Sequence, residues 1–190
     1  MATKAVSTAG MFLACAVETT AGARPTTGYL VVPEVKSMPD FGAAPQGIDT
    51  TILLATKNTT STPGLTDYSS ALAYGVNYTD ELVDEWKKYI EKYQEALAAG
   101  LAMWWAVVHP KLKYANYFPG EPAPIGIGGA GVNAVAESSV YIFASGDVEQ
   151  HEKPTLAPET EQAESVRSYL KDMGLYPTTA RSSKTDEVEV

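Results

Sequence analysis

Few residues in this 190-residue chain have the type and spacing for chemistry. Gly126-Ile127-Gly128-Gly129-Ala130-Gly131 fits a GxGxxG pattern. A dinucleotide site needs such glycines between a strand and a helix, so that the backbone can approach a pyrophosphate. Here Pro122 and Pro124 stand just before the pattern and no other βαβ repeat exists, so it reads as a loop before a strand. The two histidines, His109 and His151, lack partners at zinc-ligand spacing. Cys15 and His109 could be written as a nucleophile and its base, but two lone residues form no motif. The carboxylates are too scattered for an acid/base pair to be picked out. Two glycosylation sequons, at Asn58 and Asn77, carry no meaning without a secretory route. No catalytic, cofactor-binding or metal-binding residue is assigned, and the chain is not expected to be an enzyme.

The elements around these residues are mostly strands. Eleven tyrosines, three tryptophans and many Thr and Val residues favour them. Met11 to Glu18 reads as a first core strand with Cys15 as a small buried hydrophobe; the faint signal-peptide or lipobox look of Phe12-Leu13-Ala14-Cys15 has too short an apolar run before it. Tyr29 to Val32 and Ile48 to Leu53 continue the β-structure, with turn chemistry at 37–42 between them. Residues 55–66 are polar, with almost no apolar side chain to bury, and read as a long loop. Tyr68 to Asn77 is a further strand.

One helix is clear, over about 79–99. Thr79 is a plausible N-cap, acids fill the first turns, and Gly100 stands where a C′ glycine ends a helix. Leu82, Trp86, Tyr89 or Ile90, Tyr93 and Leu97 recur at three- and four-residue spacing and make its apolar face. Leu101 to His109 is a dense apolar run, a strand buried on both faces or continuous across a subunit contact. Residues 111–131 are turn-rich, and Ala134 to Ser145 is a last long strand.

Composition separates a core domain, 1–153, from an extension, 154–190. The extension holds seven acids and four bases, a net charge of -3. Glu159 to Met173 could form a short amphipathic helix through Ala163, Val166, Tyr169 and Leu170; the remainder cannot order alone. The whole chain carries -9 with no basic patch, which disfavours tight nucleic-acid binding. Cys15 is the one cysteine, so no internal disulfide forms, consistent with synthesis in a reducing cytosol. No apolar run reaches the length of a membrane span, so no membrane insertion is expected.

Residues 32–51 carry a resemblance. A strand leads into Ser37-x-Pro39-x-x-Gly42-x-x-Pro45-x-x-Ile48-Asp49-x-Thr51, followed by the polar loop, Pro63-Gly64 and a strand. This order is similar to the opening of siphophage tail tube proteins, and the helix, the aromatic strand and 118–146 resemble the second half of that family. The similarity covers roughly residues 1–153; the extension departs from it.

The resemblance implies a β-rich α+β fold: a β-sandwich with one flanking α-helix. It implies hexameric rings whose inward strands join in a continuous inner β-barrel, closing edges that would otherwise aggregate. Stacked rings would form the tail tube of a virion, made in the host cytoplasm. That tube would enclose the tape measure protein, meet tail tip and tail terminator proteins, and pass DNA without binding it. In the family a long loop reaches the adjacent ring. By position that is 55–66 here, with Lys57, Asn58, Thr59, Thr60, Ser61, Thr62 and Pro63 at the contact. The extension is expected to be ordered mainly by neighbours. Two other classes remain: a monomeric or trimeric decoration or adhesion module, and a small enzyme with an unrecognised site.

Overall fold

The computed structural model describes residues 5–41, 47–49, 61–63, 71–129 and 135–176. Its strands are β1 (Phe12–Val17), β2 (Leu30–Val31), β3 (Val35–Ser37), β4 (Gly47–Asp49), β5 (Ser61–Pro63), β6 (Leu72–Asn77), β7 (Met103–Val108), β8 (Tyr114–Pro122), β9 (Glu137–Ala144) and β10 (Glu149–Glu152). Two α-helices, α1 (Asp80–Ala98) and α2 (Glu164–Asp172), and a short 3-10 turn at Glu159–Glu161 complete the described residues. Eight strands form one sheet in the order β2-β1-β7-β8-β9-β6-β3, with β10 also on β8; among the described residues β4 and β5 pair only with each other.

The sheet curls at β8. Asn116 to Pro119 pair with β7, whereas Gly120 to Pro122 pair with β9. β9 and β10 run as one line antiparallel to β8, broken at 145–148. Pro119 sits at this break. Its carbonyl accepts from the Ser145 N–H at 2.9 Å, so its missing donor faces the gap in the ladder, where proline is tolerated. Gly120 lets the strands close: a Cβ there would lie 2.8 Å from Ile142 Cγ2 and 2.9 Å from the Phe143 carbonyl. The turn-like Pro-Gly pair is therefore the bend inside a nine-residue strand, not a loop.

Alternation along the strands builds two cores. Leu13, Cys15, Met103, Trp105 and Val107 face the inside of the curl, together with Phe118, Val140, Ile142, Leu72, Tyr74 and Val76. α1 closes this space with Leu82, Trp86 and Tyr89. The Thr79 hydroxyl caps it by accepting from the Leu82 N–H at 3.2 Å, and Gly100 adopts φ +70° just past its end. Trp86 stacks on Trp105 with centroids 5.7 Å apart and donates its indole N–H to the Ala123 carbonyl at 2.8 Å. Ala96 is buried near the C-terminal end, whereas Leu97, expected on the apolar face, is 59% exposed.

The opposite face of β1 and β7 carries Phe12, Ala14, Ala16, Trp104, Ala106 and Val108. Residues 154–176, the strap, cover it through Ala163, Val166 and Leu170. One expectation is corrected here. Among the described residues the flanking layer has two α-helices rather than one, and residues 155–176 of the extension lie against β1 and β7 of their own chain. The reason is the small-residue surface of Ala14, Ala16, Ala106 and Ala115, which lets a short helix approach and bury its apolar side chains.

Candidate assembly surfaces

The residues with chemical potential are placed structurally. The segment after β8 runs beside β9: the Ala123 N–H donates to the Tyr141 carbonyl at 2.9 Å, and the Ser138 hydroxyl to the Gly126 carbonyl at 2.5 Å. A Cβ on Gly128 would overlap the Glu137 carbonyl oxygen, so this glycine permits close strand approach. Gly131 lies outside the described residues, and β9 rather than a helix follows the pattern.

Cys15 is buried in the inner core, where desolvation pushes its thiol far above the ordinary range. Cys15 pairs with Trp105, four residues along β7 from His109 and so roughly 13 Å away along the strand. His109 is instead bonded to the N-terminal segment: its Nε2 lies 2.7 Å from the Ser7 carbonyl, and its Nδ1 is 3.1 Å from the Lys111 N–H. These partners fit the neutral ring with Nε2 protonated. His151 is exposed and lies 2.9 Å from Glu149. Among the described residues no group of three or more His, Cys, Asp or Glu is disposed to hold a metal.

One buried charge had no signal in the sequence. Glu18, 5% exposed at the end of β1, accepts from the Trp104 indole at 2.8 Å and from the Ala102 and Gly22 N–H groups at 3.0 and 3.1 Å. Burial alone would raise its carboxyl, but the bonds from Trp104, Ala102 and Gly22 outweigh it and hold the group below the ordinary value. Trp104 and Ala102 lie more than 80 residues away in the chain, beyond any local pattern.

Among the described residues, exposed apolar surface lies on the other half of the sheet. On β9, Val140 and Ile142 point into the core, while Tyr141 and Phe143 are 44% and 53% exposed on the outer face. Ala73 on β6 is exposed opposite Tyr141. Lys36 on β3 is paired with Glu137 on β9 across the intervening β6. An open depression of about 670 Å³ runs beside this pair, lined by Ser37, Gly75, Gly128, Ser139 and Tyr141. β3 ends the sheet and pairs only with β6 among the described residues.

Of the residues assigned to an inter-ring contact, Lys57, Asn58, Thr59 and Thr60 lie outside the described residues. Ser61, Thr62 and Pro63 form β5, paired antiparallel with β4 from Gly47↔Pro63 to Asp49↔Ser61. That stretch is therefore one arm of a strand pair rather than open loop, with Pro63 at its end.

No protein-family model matches the chain, and no curated protein matches it. Among solved structures, one similar chain is described as the crystal structure of Hcp protein. It is 8% identical, with a TM-score of 0.28, over 75% of this chain and 98% of that one. Among the described residues, no helix is long and apolar enough to cross a membrane.

Proposed function

We propose that this chain is a structural subunit that assembles with copies of itself into rings stacked as a tube. The observation that carries this reading is the outer face of β9, where Tyr141 and Phe143 stand exposed on a sheet half that ends, among the described residues, in the unpaired edge of β3. Exposed aromatics on a sheet that ends in an open edge favour association with another protein surface. The burial of Cys15 and the buried, hydrogen-bonded states of His109 and Glu18 fit structural roles.

The resemblance of residues 32–51 narrows the proposal to the major tail tube protein of a siphovirus-like phage. In that reading the rings are hexameric and sit in a virion tail. They hold the tape measure protein and later conduct DNA to the host, with tail tip and tail terminator proteins at the two ends. Lys57 to Pro63 make the contact between rings.

Negative-stain electron microscopy with light scattering tests this directly. Rings or hollow tubes of uniform bore are the expected result. A monomer that still fails to polymerise on an added tail tip would sink the proposal and favour a decoration or adhesion module. Deleting residues 57–60 should leave a folded subunit that forms rings without stacking; normal tubes would remove the inter-ring assignment.

A further inference from the structure

The strap divides at Pro158. Before it, the chain is fastened to the body backbone to backbone: the Thr155 N–H donates to the Thr26 carbonyl at 3.0 Å and the Ala157 N–H to the Tyr29 carbonyl at 2.9 Å. Ala157 is itself buried in the inner core. After it, residues 158–176 are bonded largely to themselves. Arg167 donates through Nε to the Gln162 carbonyl at 2.8 Å and through Nη2 to the Thr160 carbonyl at 3.1 Å. Lys171 pairs with Glu159 at 2.5 Å, which ties α2 back to the turn before it. The Leu175 N–H closes the far end on the Leu170 carbonyl at 3.0 Å.

This part is fastened to the rest of the chain in three ways. Ala163, Val166 and Leu170 are buried with the outward side chains of β1 and β7. The Gln162 amide bonds Val31 and Tyr29, and the Tyr176 hydroxyl donates to the Ala157 carbonyl. The third fastening is a single bond at the start of α2, where the Ser165 N–H donates to Glu81 Oε1 at 3.1 Å. α2 has need of it. The helix is nine residues long, and Ala163 at its N-cap position makes no side-chain bond to the first turn. A helix this short is marginal by itself, and unmet N-terminal donors weaken it further. Glu81 supplies from α1 what the strap sequence lacks. It stands in the first turn of α1, so one carboxylate serves the positive ends of two helices.

We propose that residues 158–176 are a gate that opens as one unit about Pro158, uncovering the β1–β7 face, and that Glu81 is its clasp. Lifted off the sheet, α2 loses its apolar support and its cap together, so opening is all-or-none over the segment rather than residue by residue. Opening uncovers Phe12, Ala14, Ala16, Ala106 and Val108, an apolar surface that the seated gate keeps from water and from other chains. The gate does not depend on self-assembly.

Native-state hydrogen exchange on the full chain tests both parts. The Arg167, Met173 and Leu175 N–H groups, each bonded within the segment, are the reporters. They should share one opening constant, larger than that of the β1 and β7 amides. Glu81→Ala should raise it about fivefold, the factor that loss of one helix cap gives, and leave β1 and β7 unchanged. Glu81→Gln keeps an acceptor oxygen and should raise it less. Asp80→Ala removes the neighbouring acid, which makes no bond to the strap among the described residues, and should leave it unchanged. Reporters that exchange only together with β1 and β7 would overturn the gate. An unchanged opening constant in Glu81→Ala, an equal rise in β1 and β7, or a rise as large in Asp80→Ala would overturn the clasp. Should Glu81→Ala fail to fold, Glu81→Gln decides in its place, and no rise there overturns the clasp.

Discussion

Glu18 and Tyr74 are two buried polar residues with opposite bookkeeping. Glu18 satisfies three donors at once and holds its carboxyl below the ordinary 4.5. Its folded-state pKa is depressed, so its stabilisation is full above the unfolded value and is lost as pH falls through the folded one. The melting temperature should therefore drop with acidification below about pH 4.5, and Glu18→Gln should flatten that part of the profile. A profile equally steep in the glutamine variant would refute the assignment. Glu18→Ala should cost about 3 kcal/mol by stranding the Trp104 indole and two backbone donors. Tyr74 is the reverse case: its hydroxyl is buried with no hydrogen-bond partner among the described residues. Tyr74→Phe removes an unmet group while keeping the ring against Phe41, and should raise stability by about 1 kcal/mol in urea unfolding. None of this was legible in the sequence, because each residue's surroundings come from strands distant in the chain.

At the scale of elements, what was legible followed local rules. α1 announces itself through Thr79, its acidic first turn, its three- and four-residue spacing and Gly100, and each of these has its place in the structure. β7 is apolar at all six positions and is buried on both faces, by α1 on one side and the strap on the other. Three elements escaped for physical reasons. β8 holds Pro119-Gly120, turn chemistry that here bends a strand at a break in its ladder. β10 is exposed at all four positions, so no alternation marks it. β5 lies in a polar stretch and owes its existence to pairing with β4. The apolar pattern of α2 was visible, yet the small-residue face that receives it is assembled from β1, β7 and β8. Packing decides the consequences of mutation along α1. Trp86→Ala should cost about 3–5 kcal/mol through the lost stack on Trp105 and the cavity left in the core. Leu97→Ala, one face over, should stay within about 0.5 kcal/mol. Chemical denaturation of the pair checks both.

For the whole molecule, the sheet among the described residues is covered on both faces at one end and exposes Tyr141 and Phe143 on its outer face at the other. Tyr141→Ser with Phe143→Ser should leave the melting temperature nearly unchanged and remove self-association; assembly at the parental level would show that this face is not the contact. Every copy also carries -9, so like copies repel at long range. Raising ionic strength shortens that repulsion, and assembly followed by light scattering should speed up between low and physiological salt. Cys15 adds a use of its own. It is the single thiol in the chain, and it lies beneath α1 in the inner core. A thiol-reactive dye cannot reach it while the core is shut, so the rate of labelling is a built-in clock for core opening. Comparing that rate in free subunits and in assembled material would read how far neighbours hold a subunit closed, with no engineered probe.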